Sequence, residues 1–415
     1  MPNTIKKRLL LISHHNSYRI APYINAAIHL NLEVSIASEG KHSLVTEVAN
    51  GIHIDFNNIQ ATLATIHIEH RKRPFSGILG SDDQTVEFAA HIAHELQLPH
   101  NPPRAAQYSY RKDLARKKLA LACCPVPTHH LLDVNLPLTK QMTGLHFPCV
   151  LKPLNMSASR GVIRVNDSDE FVIAWQRLKS IVATALGKFE QSHILVENYI
   201  DGIEIAYEGF LHDGKLNSIT IFDKPDPLEG PYFEETIYVM PSSLNTILQQ
   251  KVKSVIQKAC GVYGLTTGAI HAECRIDKDE KIWILEIASR TIGGDCARIL
   301  DNENFSIEEL AISLAINQPI DVCTAQQARG VMMLPVTTKG LLKRVEGLLE
   351  ANRIKYIDKI DIIINEGHEL VPLPEGNQYL GYIFASADTP EQVICAIREA
   401  YAKLTFITAP IFTIR

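Results

Sequence analysis

His271–Arg290 reads HAECRIDKDEKIWILEIASR. Ala269–Ile276 and Lys281–Ala288 are two runs of alternating apolar residues around the charged turn DKDEK, which is the pattern of a β-hairpin. Glu273 and Glu286 stand thirteen residues apart, one on each run, and Arg290 follows the second by four. Alternation puts Glu273 on a face with Arg275, whereas Glu286 lies inside an otherwise apolar strand. At least one carboxylate is therefore aimed at something other than bulk water. A buried carboxylate is costly without a cation, a metal or a hydrogen-bond network. An ion pair with Arg290 or Arg275 and a metal site explain the hairpin equally well, so its surroundings must decide.

Composition sets outer limits. At 415 residues, with 46% apolar content and a mean hydropathy near zero, the chain is long enough for two or three domains with full cores. A formal net charge of −5 with dispersed basic residues gives no support for a nucleic-acid partner. The longest apolar runs are strand-length, so no membrane span is expected. The apolar run in the N-terminal MPNTIKKRLLLIS is too short for a signal sequence and reads as a first strand. Eight cysteines without a CxxC pair suit a reducing cytosol, and a cytoplasmic location is expected.

In chain order, Arg8–Ser13, Ile20–Leu30 and Leu32–Ala37 form a βαβ opening. The turn after the first strand, HHNSYR, has no glycine, which disfavours dinucleotide binding by that route. His14 and His15 read as a surface-loop pair. HIAHE, within a helix expected from Gln84 to Leu96, has its residues in the wrong order for a zinc helix. A boundary falls near Asn101–Pro103, followed by the basic helix YRKDLARKKLALAC and the extended exit CPVP.

Phe147–Pro153 is an apolar strand carrying Lys152, and the turn after it holds Ser157, Ala158, Ser159, Arg160 and Gly161. Small residues let backbone N–H groups approach a phosphate, hydroxyls add donors and lysine adds a point charge. Farther on, ENYIDGIEIAYEGF places Glu197 at a strand end and Glu204 on the next strand. Glu197 fits a plain strand-end charge or the polar edge of an adenine slot.

In order and spacing these pieces resemble the ATP-grasp superfamily of carboxylate–amine ligases, most of all its L-amino-acid ligase branch. The resemblance runs over roughly 180 residues of motifs. It implies that Lys112 and Lys152 reach the nucleotide phosphates and that NMSASRGV, with Ser157, Ser159, Arg160 and Gly161, closes over them. It also implies that Glu197, Tyr199, Ile200 and Leu285 hold adenine, that Glu204 meets the ribose, that Glu273 and Glu286 bind metal, and that Arg290 is the catalytic arginine. The implied fold is α/β, in three parts: an N-terminal βαβ domain over residues 1–103, a two-lobed α+β ATP-grasp core over 104–317 and a small β-rich C-terminal domain over 318–415. ATP and Mg²⁺, or Mn²⁺ in its place, are the implied cofactors, and a homodimer is implied by analogy. Two features depart from the pattern. Many members carry asparagine where this chain has Ala288, which weakens a second metal site, and the phosphate loop is poor in glycine.

Joining a carboxylate to an amine needs a better leaving group than oxide, which phosphorylation by ATP supplies as an acyl phosphate. Water must be kept from that intermediate. Residues 222–243 read as a long acidic loop suited to a lid, where Glu234 or Glu235 would meet a substrate amine. After Arg290, Gly293 and Gly294 would turn backbone amides to a substrate carboxylate, with Asp295 and Arg298 nearby. The partners expected are small carboxylates and amines, amino acids above all. The alternatives are a carboxylase-like or purine-pathway enzyme activating bicarbonate, formate or another small acid, against which stands the lack of a biotin-attachment motif, and a non-catalytic nucleotide-binding protein.

Overall fold

The computed structural model describes residues 6–15, 17–39, 50–185, 187–319, 322 and 327–411. In the amino-terminal segment strands alternate with helices, so the strands pair in parallel, in the order Gly51–Ile54, Glu33–Glu39, Arg8–Ile12, Gly77–Gly80. Leu10 and Ile12 pack into one core and Leu9 and Leu11 into another, because both faces of the sheet are covered. From Arg8–Ile12 the chain goes first to one neighbour and later returns to the other. The carboxyl ends of Arg8–Ile12 and Gly77–Gly80 therefore open a crevice. Helix Asp83–Glu95, started by a capping box between Asp82 and Thr85, begins there.

A small lobe follows, with four antiparallel strands in the order His129–Asp133, His193–Asn198, Cys149–Lys152, Ile163–Val165. Helix Ser168–Val182 covers it, with Phe171, Trp175 and Leu178 buried at helical spacing. The serine-rich turn joins the last two strands in sequence. Ala158 and Ser159 both take left-handed φ values of 54°, so the loop makes its tight turn without glycine at these two positions.

The largest sheet has eight strands. Its order is Ile282–Ala288, Gly268–Ile276, Ile203–His212, Lys215–Asp223, Ile237–Met240, Ala328–Pro335, Tyr379–Ala387, Ile357–Ile362. The expected hairpin is present, with Glu273 and Glu286 directly opposite one another. Pairing then resumes at Cys274 and Ile284, so Leu285 is an extra residue on its strand. Two features differ from the sequence reading. Residues 222–243 are not a continuous loop, because all four side chains of the strand Ile237–Met240 are buried and it joins the sheet. That strand pairs with Ala328–Pro335, so the carboxyl-terminal segment continues the central sheet. A three-stranded sheet and helix Pro390–Tyr401, with proline in its first turn and a Thr389–Gln392 capping box, complete the chain.

Candidate active site

The three parts enclose a cavity of about 530 Å³. Residues His271, Glu273 and Arg275 of one hairpin strand line it, while Ala272, Cys274 and Ile276 point into the core beneath. Because of the extra residue at Leu285, consecutive side chains Leu285 and Glu286 both face the cavity. The small lobe contributes Lys152, Ser157, Ser159, Glu197, Tyr199 and Ile200. The amino-terminal crevice contributes Tyr18, Arg19, Asp82 and Asp83.

The charges are tightly paired. Glu197 is 1% exposed and lies 2.5 Å from Arg116 Nε and 2.7 Å from Lys152 Nζ. Burial alone would raise its carboxyl, but the two cations hold it down at about 2. Arg116 also donates to the Leu285 carbonyl, tying the basic helix Lys112–Leu121 to the hairpin. Lys112 begins that helix; its Nζ donates to the Met156 carbonyl at 2.9 Å and sits 3.3 Å from Glu286 Oε2. Lys224 donates to Glu204, Glu235 and Glu273 at 2.9, 2.7 and 3.0 Å. Burial would lower its pKa, yet the three carboxylates raise it well above the usual lysine range. Burial pushes Glu235 up, and Lys224 and His271 together overcome burial to hold Glu273 well down. His271 contacts the buried Glu208, and this carboxylate and Glu273 outweigh burial to raise the imidazole to about 9.

Glu204 is also held by Arg275 Nε at 2.9 Å, and the Ile200 carbonyl accepts from Arg275 Nη1 at 2.8 Å. The Tyr199 ring lies under the Arg164 guanidinium at 3.9 Å. Arg290 does not pair with Glu286 as its spacing suggests. It makes two hydrogen bonds to Asp83, of 2.5 and 2.7 Å, across the domain crevice. Gly293 and Gly294 line the cavity, and Gly294 needs its φ of 58° to begin the short helix Gly294–Ile299.

Four residues expected here point elsewhere. Arg160 donates to the Glu375 carbonyl and to Thr184, and the Gly161 amide to the Pro374 carbonyl, so both tie the loop to the carboxyl-terminal segment. Glu234, unlike Glu235, does not line the cavity and engages the Val336 backbone. Arg298 is held by Asp301 and Glu308. His14 also differs from a free surface histidine, since its Nδ1 meets Glu39 at 3.2 Å. Lys224, Arg116, Asp83 and the His271–Glu208 pair were missed. Lys224 directly follows a strand, much as Lys152 ends one, and Arg116 lies four residues from Lys112 on one helix face, so both left a signal.

Sequence families align with this architecture part by part. The ATP-grasp N-terminal domain matches residues 24–100, the ATP-grasp domain residues 145–299 and the L-amino acid ligase C-terminal domain 2 residues 332–409. The chain contains an ATP-grasp domain. The crystal structure of L-amino acid ligase from Bacillus licheniformis superposes with a TM-score of 0.81 at 22% identity, covering 97% of this chain and 99% of that one. This likeness in fold covers nearly the whole chain. Alanine–anticapsin ligase of Bacillus subtilis is 32% identical over 163 residues, which are 35% of this chain and 34% of that protein. D-alanine–D-alanine ligase B of Pseudomonas syringae is 25% identical over 169 residues, 39% of this chain and 48% of that protein. The matches thus span half or less of these curated ligases. The mixed α/β ATP-grasp fold expected from the motifs is the fold observed. No helix among the described residues is long and apolar enough to cross a membrane.

Proposed function

We propose that the protein is an ATP-dependent carboxylate–amine ligase that joins two amino acids through an acyl phosphate, releasing ADP and phosphate. The observation that carries this reading is the convergence of Lys112, Lys152, the opposed pair Glu273 and Glu286, and Arg290 on one cavity. The ligase relatives and the L-amino acid ligase C-terminal domain support it.

The donor set suits Mg²⁺. Two carboxylates on adjacent strands offer hard oxygen ligands and leave room for water and phosphate oxygens, and Mn²⁺ would be accepted by the same groups. When bound, such an ion neutralises phosphate charge and holds the transferring group in line. The protein's own groups do the rest. Lys112 reaches between Glu286 and the serine-rich loop, where it would meet a phosphate. Lys152, anchored by Glu197, would lie beside the nucleotide. Ser157 and Ser159 would add donors to the phosphates, and Tyr199, Ile200 and Leu285 would flank adenine, with Glu204 at the ribose. Arg290, fixed by Asp83, would steady the carboxylate as its oxygen attacks phosphorus and ADP leaves. The amine then attacks the acyl carbon, expelling phosphate and giving up a proton. Glu235, which lines the cavity, would receive the amine, and Gly293 and Gly294 would present backbone to a substrate carboxylate. The seven described cysteines are unbridged, in keeping with a cytosolic location, and a homodimer remains part of the reading by analogy with the family.

The test is release of ADP and phosphate from Mg·ATP across a panel of amino-acid pairs and small acids. Release that requires two amino acids is expected. Turnover with bicarbonate or formate alone would instead favour small-acid activation, and tight ATP binding without any release would favour a nucleotide-binding role. Glu286→Gln is expected to lower turnover by at least 100-fold with the melting temperature nearly unchanged. An unaltered rate would remove Glu286 from the metal site.

A further inference from the structure

Arg19 lines the cavity but has no part in the proposed reaction. It stands after strand Arg8–Ile12, immediately before helix Ile20–His29, with 6% of its surface exposed. A buried guanidinium is costly unless its donors are taken. Nη1 donates to Thr291 Oγ1 at 2.7 Å, and Nη2 donates to the carbonyls of Thr291 at 3.3 Å and Ile292 at 2.7 Å. Asp82 Oδ1 lies 3.6 Å from Nε. Two arginines therefore converge on one segment, because Arg290 Nη1 also donates to the Thr291 carbonyl, at 2.8 Å. Their counter-ions are neighbours in sequence: Asp82 faces Arg19, and Asp83 holds Arg290.

Holding a carbonyl also aims an amide. In a trans peptide the C=O and N–H of one planar unit point in opposite directions. With the Thr291 carbonyl drawn to the arginines, the Ile292 amide faces the other way, where it opposes the burial-driven rise of the Glu208 carboxyl. With the Ile292 carbonyl drawn to Arg19, the Gly293 amide points away from Arg19. Gly293 is extended, with φ −80° and ψ 179°, and has no side chain to cover that amide on the cavity wall. Among the described residues no hydrogen bond takes it.

We propose that Arg19 is a positioning residue for substrate binding: by holding the Thr291 and Ile292 carbonyls, it aims the Gly293 amide at a carboxylate oxygen of one amino-acid substrate. The identity of that anion rests on the ligase reading, whereas the direction of the amide rests on the Arg19 contacts. The guanidinium suits this role because its planar fork spans the hydroxyl and both carbonyls at once, which a lysine ammonium cannot reproduce. A backbone donor fixed by a buried side chain also has little freedom left to lose when the substrate arrives.

The experiment compares the full chain as wild type, Arg19→Lys and Arg19→Met, each labelled with ¹⁵N-glycine for nuclear magnetic resonance. The Gly293 amide signal is assigned by its absence from Gly293→Ala, a replacement the backbone allows, since the new Cβ would lie 3.8 Å from Arg19 Nη2. That signal is expected to shift in both Arg19 variants by more than any other glycine signal. In ADP-release assays with the amino-acid pair that turns over fastest, both variants should raise KM for one of the two amino acids at least ten-fold. KM for ATP and kcat should change less than three-fold, a split that a merely structural tie would not produce. The lysine variant keeps the charge, so it carries the test if the methionine variant does not fold. An unmoved Gly293 signal, KM values that rise together or not at all, or full rescue by lysine overturns the proposal. Failure of the ligase reading would look different: wild type would release no ADP with any pair, while the Gly293 signal would still move in the variants.

Discussion

Glu197 illustrates how one buried charge can serve both stability and function. Its carboxyl titrates near 2 in the folded protein, against 4.5 ordinarily, so its contribution is fully present above about pH 4.5 and is lost as pH falls through about 2. The shift corresponds to an order of magnitude of about 3 kcal/mol. Glu197→Gln strands Arg116 and Lys152 and should cost about 3–5 kcal/mol at pH 7. Urea unfolding of wild type and variant at several pH values should give stabilities that converge toward pH 2; parallel curves would mean that the carboxylate is not the source. Asp83 plays the corresponding part for Arg290 across the domain crevice. Burial would raise its carboxyl, but Arg290 outweighs that and lowers it. Asp83→Asn should reduce turnover at least ten-fold while altering nucleotide affinity far less, as separate kcat and ATP-binding measurements would reveal. These partnerships explain what could be read from the residues alone. The opposed Glu273 and Glu286 follow from strand alternation, a local rule. Asp83 lies 207 residues from Arg290, and no local periodicity brings such residues together.

At the scale of elements, the serine-rich loop and helix Ser168–Val182 are tied to a turn of the carboxyl-terminal segment through Glu375. Arg177 makes two hydrogen bonds to this carboxylate, of 2.5 and 2.7 Å, while Arg160 and the Gly161 amide bond the backbone beside it. The Arg177–Glu375 pair is roughly 40% exposed, so screening limits its worth to at most about 1 kcal/mol of stability. Its consequence is positional, because the same turn holds the loop that would close over phosphates. Glu375→Ala should therefore raise KM for ATP roughly three- to ten-fold with little change in melting temperature, and amide exchange over residues 157–161 should quicken. Unchanged exchange would show that the tie does not hold the loop. The loop's small hydroxyl residues were legible as a phosphate-binding signal, but the outward direction of Arg160 and Gly161 was not. Their partners come from a turn more than 200 residues downstream. Ile237–Met240 was hidden for a different reason: four residues between acidic and proline-rich stretches are too few to establish alternation.

The whole molecule is organised by a sheet that does not stop where sequence composition changes. Separate motifs made the mixed α/β class legible, yet strand order across distant segments has no sequence period and had to come from the structure. Ile237–Met240 meets Lys215–Asp223 through one residue pair, Asp223 with Val239, but meets Ala328–Pro335 through four. Ile237 and Val239 pack with Met332, Leu334, Ile383 and Val393 in a core built mainly from the carboxyl-terminal segment. A chain ending at residue 317 would leave these side chains uncovered and a strand edge unpaired, the combination that promotes aggregation. Such a truncation should expose apolar surface that binds a hydrophobic dye and should be prone to precipitate. In the full chain, the core and carboxyl-terminal segment should unfold in one calorimetric transition, because the shared sheet couples them. A soluble 1–317 fragment with native near-ultraviolet dichroism, or a separate early transition for the carboxyl-terminal segment, would mean that the four pairs at this seam do not make the two parts one cooperative unit.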